Sequence, residues 1–107
     1  MVTNAIIRLV ILASLAFAAG AVEPAPHSYT PKGGFVPNER AAIAIAVAVW
    51  VPIYGEEQIL MQKPYTATLV NDTWVVEGSL PKNMAGGVAR AEIAKKDGRI
   101  VRVTHGK

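Results

Sequence analysis

The side chains that could catalyse a reaction in this 107-residue chain are mainly carboxylates. Acid–base catalysis by two carboxyl groups requires both of them in one cleft, in environments that separate their proton affinities. Glu56 and Glu57 are adjacent and therefore point apart, whereas Glu77 and Glu92 fall on predicted strands. We expect the last two to pair with arginines such as Arg90 across the outer face of a sheet. The carboxylates therefore predict surface ion pairs and no catalytic dyad.

Nucleophiles and metal ligands are scarce. A zinc site takes three or four ligands, and the chain contains two histidines and no cysteine. Neither Ser28 nor Ser79 lies in a GxSxG motif, and the glycines at 86–87 belong to no phosphate-binding pattern. His105 is a candidate general base at the end of a predicted strand, although a structural role there is the simpler interpretation. We therefore predict no catalytic residue, no metal ion and no cofactor, in a protein that is not an enzyme.

The N-terminal segment has the pattern of a secretory signal peptide. Residues 1–8 contain one basic side chain and no acid, an apolar run follows over 9–19, and Ala19-Gly20-Ala21 forms a small-x-small cleavage site. We predict that residues 1–21 are a signal peptide cleaved after Ala21, and that the protein is periplasmic or otherwise exported. An uncleaved membrane anchor is the alternative, although the apolar run is short for a span and its basic flank is thin.

Composition limits the class of partner. Residues 22–34 hold three prolines and two glycines, which predicts a flexible tail. The absence of cysteine excludes disulfides, so a small exported domain must depend on its packing or on a partner for stability. The formal net charge is +3, and Glu92 and Asp97 interrupt the basic C-terminal end, which contains no aromatic residue. Because single-stranded nucleic acid is held by basic grooves with stacking aromatics, we predict no nucleic-acid partner.

The element that must position these side chains is the apolar stretch between Pro37 and Gly55. Isoleucine and valine alternate with alanine in it, a period of two that is typical of strands. Its alanines nevertheless favour a helix, Asn38 is a suitable N-cap, and a 3.6-residue period puts apolar residues on two sides. We predict one helix, buried on both of those sides. From Ala41 to Ile53 it would measure roughly 20 Å, too short for a hydrocarbon core of about 30 Å.

The rest of the chain has the pattern of strands joined by short turns. Alternation predicts four strands, over 65–70, 73–80, 88–95 and 99–105. Asn71-Asp72 and Asp97-Gly98 are hairpin signals, and residues 56–63 are predicted as a connection or short strand. Because such strands pair with their sequence neighbours, the predicted fold is α+β. One main buried helix packs on a curved four-stranded antiparallel meander over residues 35–107.

A family resemblance rests on six segments that occur in this order: Gly34-Phe35-Val36-Pro37-Asn38-Glu39, Trp50-Val51-Pro52-Ile53-Tyr54-Gly55, Lys63-Pro64-Tyr65, Trp74 to Pro81, Gly86-Gly87-Val88, and Val103 to Lys107. Together they make residues 29–107 similar to the bacterial immunity proteins with a nuclear-transport-factor-two-like fold. The resemblance implies a cone of helix over curved sheet that binds and neutralises a toxin delivered by neighbouring cells. It implies no catalytic residue.

The function predicted from this resemblance is neutralisation of a cognate toxin by occlusion of its active site. Such an interface covers about 800 Å² per partner and depends on a few anchoring side chains. The candidate partner-binding residues, chosen for their predicted exposure, are Glu56, Glu57, Met84, Arg90 and Glu92.

A second hypothesis is a small periplasmic ligand-binding or envelope-associated domain. Its pocket would be lined by Trp50, Tyr54, Tyr65 and Trp74, although the same aromatic side chains are also expected in a core. Nothing in the sequence indicates an oligomeric state or identifies the toxin.

Overall fold

The computed structural model describes residues 28–106, and the predictions for residues 1–21 and 22–27 lie outside them. In chain order the elements are α1 (Glu39–Tyr54), α2 (Glu56–Leu60), β1 (Thr66–Val70), β2 (Thr73–Glu77), β3 (Ala89–Ala94) and β4 (Ile100–His105). The four strands form an antiparallel sheet in the order β1-β2-β3-β4. Helix α1 packs across one face of the sheet, against β1, β2 and β3. The predicted α+β fold is confirmed.

Helix α1 begins and ends where the sequence indicates. The Asn38 side chain accepts a hydrogen bond from the backbone N–H of Ala41 at 2.9 Å, which caps the first turn. The chain leaves the helix at Gly55, whose φ is +94° and whose N–H donates to the carbonyl oxygen of Val51. Within residues 28–106, no helix is long and apolar enough to cross a membrane.

The buried side of α1 is lined mainly by alanine. Ala42, Ala46 and Trp50 are fully buried, and their spacing of four residues places them on one stripe of the helix. The two predicted apolar stripes flank this buried stripe: Ile43 and Val47 on one side and Ile45 on the other are half-buried and pack against the core. Of the predicted stripe residues only Ile53 is exposed, and the side opposite Ala46, which includes Ala44 and Ala48, is also exposed. Small side chains on the buried stripe let the helix lie close to the sheet.

The sheet follows the predicted alternation in its centre. Asn71 and Asp72 have φ values of +49° and +61°, which makes the β1–β2 connection a two-residue type I′ turn. In β3, Ala89, Ala91 and Ile93 are fully buried, while the residues between them face outward and are half-buried.

The ends of the strands differ from the prediction. The connection over 56–63 contains the short helix α2. Alternation over 73–80 predicts Leu80 on the same core face as Trp74 and Val76. Strand β2 ends at Glu77, so Leu80 lies beyond the sheet and is 47% exposed. The pairing register of β3 and β4 shifts between Glu92 and Ile93. Because Val101 is the additional residue at this bulge, it lies on the surface and is 48% exposed.

The segment that precedes α1 covers the side of the core next to Trp74 and Lys95. The Trp74 Nε1–H donates to the carbonyl oxygen of Val36 at 2.7 Å, and the Val36 N–H donates to the carbonyl oxygen of Lys95 at 3.0 Å. The Trp50 and Tyr65 rings pack 5.8 Å apart. The Trp50 Nε1–H is buried without a hydrogen-bond partner among the described residues.

Candidate functional site

A groove lined by both apolar and polar side chains separates α2 from the loop that joins β2 to β3. We call it the methionine groove; it encloses about 80 Å³ and is lined by Gln58, Met61, Gln62, Leu80, Pro81, Met84, Ala85 and Gly87. Its large apolar side chains are half in solvent: Met61 is 49% exposed, Leu80 47% and Met84 50%. Several exposed apolar side chains in one place are typical of a surface that contacts another molecule.

The wall formed by α2 is held by one buried side chain. Gly55 ends α1 and allows the chain to turn into α2, which places Ile59 in the core with no exposed surface. The Tyr65 hydroxyl donates to the carbonyl oxygen of Ile59 at 2.7 Å. Burial raises the pKa of the Tyr65 phenol, so the phenol remains protonated and can donate this hydrogen bond.

The floor of the groove is the side chain of Gln62, which is only 3% exposed. Its Oε1 accepts from the Ala89 N–H at 2.7 Å, and its Nε2 lies 3.0 Å from His105 Nε2. The His105 Nδ1 lies 2.8 Å from the carbonyl oxygen of Gly106, which can only accept. These contacts fit the tautomer in which His105 donates through Nδ1 to Gly106 and accepts from Gln62 through Nε2. One glutamine thus joins α2 to the start of β3 and the end of β4.

The wall on the other side is held by close contacts that require glycine. A Cβ atom on Gly78 would collide with the Gln62 side chain, and one on Gly87 would overlap the backbone of Gly106. The Ser79 N–H donates to the carbonyl oxygen of Gln62 at 2.7 Å. The loop therefore begins and ends against fixed neighbours, and its apolar residues project from a constrained base.

The structure brings some of the predicted partner-binding residues together and separates others. Met84 lines the groove, and Glu56 and Glu57 are exposed in the first turn of α2, the helix that forms one wall. Arg90 and Glu92 instead lie on the outer face of the sheet. There the Arg90 guanidinium contacts Glu77 at 3.4 Å and Glu92 at 3.6 Å. Those two residues form the predicted ionic ladder on a separate surface.

Sequence reasoning missed Met61, Leu80 and Gln62 as groove residues. The alternation of β2, extended past Glu77, predicts Leu80 on the core face, and the apolar run over 59–61 predicts that Met61 covers the core. Gln62 carries no local signal, since a glutamine in a connection is usually exposed. The clue available in sequence was that Leu80 and Met84 lie beside prolines and glycines, which favour surface loops.

The hypothesis of an aromatic ligand pocket receives no support from the positions of its residues. Trp50 and Trp74 are buried in the core, and Tyr54 and Tyr65 pack against its edge. None of the four lines the methionine groove or the wider cleft at the turn end of the sheet. This hypothesis stays a prediction.

A wider and shallower cleft of about 660 Å³ lies at the turn end of the sheet. Its charged side chains have both signs: Lys32, Lys95, Lys96 and Arg99 with Asp72 and Asp97. The Asp97 carboxylate already accepts from the Arg99 N–H at 3.0 Å. Across residues 28–106 there is no group of three histidine, cysteine or acidic side chains that could hold a metal ion.

Comparison with known proteins places this geometry in context. A model of the family described as "NTF2 fold immunity protein" matches residues 41–107. The uncharacterised protein YhhH of Escherichia coli K12 is 40% identical over 73 residues, which cover 67% of this chain and 58% of that protein. The uncharacterised protein YbbC of the same strain is 42% identical over 73 residues, which cover 67% and 60%. The chain thus spans less than two thirds of the length of these relatives. No solved structure matches it significantly.

Proposed function

Because this chain belongs to the family of NTF2 fold immunity proteins, we propose that it binds one cognate toxin and neutralises it by covering the toxin's active site. The proposal places the contact at the methionine groove and the adjoining first turn of α2. The single observation that supports this surface is the exposure of Met61, Leu80 and Met84 above a buried, hydrogen-bonded floor.

The groove has the composition of a protein-binding site. Binding energy at interfaces is concentrated in a few apolar or aromatic anchors that fill pockets. Methionine side chains are flexible and adapt to a partner's surface, while the Gln62 hydrogen bonds hold the floor in place before binding. Glu56 and Glu57 beside the groove would attract a basic surface and raise the association rate.

We expect a double substitution in the groove, Met61→Asp with Met84→Asp, to abolish protection. Both side chains are about half exposed, so the fold should persist while two charges enter the contact. The expected loss in affinity is about 2 kcal/mol or more, roughly 30-fold. The measurement is the survival of cells that express the cognate toxin, to be sought among the open reading frames next to this gene, together with the Kd of the purified pair.

The matched control is Ile53→Asp with Val101→Asp. These residues are 57% and 48% exposed, apolar, and outside the groove. The control should protect cells as well as the unchanged chain does. Full protection by the groove double variant would show that the toxin contacts another surface.

The proposed site of action is the periplasm, to which residues 1–21 would direct the chain. N-terminal sequencing of the protein recovered from a periplasmic extract should begin at Val22. A chain that retains Met1 and sediments with membranes would instead be an anchored protein.

A further inference from the structure

Strand β1 forms one edge of the sheet, and within residues 28–106 it carries none of the features that usually protect an edge. Its sequence, Thr66 to Val70, contains no charged residue and no proline. Leu69 and Val70 are 42% and 49% exposed. Natural edge strands are normally blunted by lysine, proline, a bulge or a covering element.

The type I′ turn determines which backbone groups of β1 are free. The residues that flank such a two-residue turn, Val70 and Thr73, exchange both of their hydrogen bonds, and the pattern alternates from there along an antiparallel pair. Thr68 and Thr66 therefore bond to β2. The N–H and C=O groups of Ala67 and Leu69 point away from the sheet, and no turn, loop or cap hydrogen bond among residues 28–106 uses them.

We propose that this edge pairs with β1 of a second copy of the chain, antiparallel and about a two-fold axis at Thr68. In this register Ala67 of each copy faces Leu69 of the other, and the two residues exchange both of their free N–H···O=C bonds. The two Thr68 residues face each other as a non-hydrogen-bonded pair. The register sets a small residue opposite a large one, and every outward backbone group of Ala67 and Leu69 gains a partner.

The charges on the two edge strands favour pairing of β1 with β1 of a second copy over pairing of β1 with β4. A chain of net charge +3 repels its own copies, but β1 places no like charges opposite each other at the two-fold axis. The other edge, β4, carries Arg102 and the bulge at Val101, so it is protected against pairing. Pairing of β1 with β1 also closes after two copies, whereas β1 on β4 would extend without limit.

Single-cysteine variants test this pairing without cross-links from other cysteines, because the chain has no cysteine of its own. The Cα atoms of a non-hydrogen-bonded pair are about 4.5 Å apart, within the roughly 4.4–6.8 Å that a disulfide spans. Thr68→Cys should therefore cross-link to a band of twice the chain's mass when cells producing the full chain are treated with copper phenanthroline. Thr104→Cys, the same substitution on the outer face of the opposite edge strand, should remain monomeric.

A charge substitution tests the same axis in the purified full chain. The unchanged chain should show a dimer fraction that rises with concentration in sedimentation velocity. Thr68→Lys, at an exposed position, should lose that dimer because two ammonium groups would meet at the axis, while Thr104→Lys should keep it. Equal cross-linking of the two cysteine variants, or a dimer that survives Thr68→Lys, would overturn the proposal.

Discussion

Replacement of Gly87 by alanine should unfold the end of the sheet where β3 and β4 meet. A Cβ atom at this position would overlap the backbone of Gly106, whose own N–H donates to the carbonyl oxygen of Val88 at 3.2 Å. Backbone atoms cannot move aside as a flexible side chain can, so the pairing must break. We expect a loss of about 4 kcal/mol or more in the free energy of unfolding, a large share of the roughly 5–15 kcal/mol of a typical domain.

Urea denaturation followed by the fluorescence of the two tryptophans measures this loss, since Trp50 and Trp74 are both in the core. Gly33→Ala is the matched control. A Cβ atom there would meet its nearest neighbours at an ordinary 3.7 Å, so the change should stay within about 0.5 kcal/mol. Equal midpoints for the two variants would mean that the strand ends are not packed as described here.

The second large effect is expected for Gln62→Leu. Leucine has a similar size, but it leaves the buried N–H of Ala89 without an acceptor and His105 without its donor. Each buried polar group that loses its partner costs roughly 1–3 kcal/mol, so we expect a loss of about 2–4 kcal/mol. Because Gln62 is also the floor of the methionine groove, toxin binding should weaken in the variant even at temperatures at which it is folded.

Gln58→Leu is the control for this substitution. Gln58 lies in α2 and also lines the groove, but it is exposed and makes no side-chain hydrogen bond within the described residues. Its replacement should change the free energy of unfolding by less than about 0.5 kcal/mol. If Gln62→Leu were as stable as Gln58→Leu, the hydrogen bonds to Ala89 and His105 would contribute little to folding.

The proposed groove and the proposed edge pairing use different parts of the molecule. The groove involves α2 and the loop between β2 and β3, whereas the pairing uses the backbone of β1. A variant such as Thr68→Lys should therefore lose the dimer and still bind a toxin. The two proposals can be tested independently in the same set of proteins.

Local chemistry allowed much of the fold to be predicted. The cap at Asn38, the break at Gly55 and the alanine content were sufficient to locate α1 in spite of its strand-like alternation. The positive φ that Asn71 and Asp72 tolerate was sufficient to locate the first hairpin. These features depend on residues within a few positions of one another, so a sequence can be interpreted correctly without knowledge of distant contacts.

The ends of the strands and the burial of individual residues were harder to predict. Alternation continues in the sequence beyond Glu77, but β2 stops there because the chain must turn toward Gln62 and form the loop. Likewise the bulge at Val101 depends on how β4 pairs with β3. Pattern alone does not reveal where a strand loses its partner.

The sequence by itself therefore determined the helix, the order of the strands and the absence of a recognisable catalytic or metal motif, since each follows from local propensity or from residue types. Only the tertiary structure decided which apolar side chains lie together at the surface. Met61, Leu80 and Met84 meet because Gln62 bonds to residues 27 and 43 positions away along the chain. Long-range contacts of this kind leave no periodic trace in sequence, because burial and exposure depend on the packing of elements that are far apart in the chain.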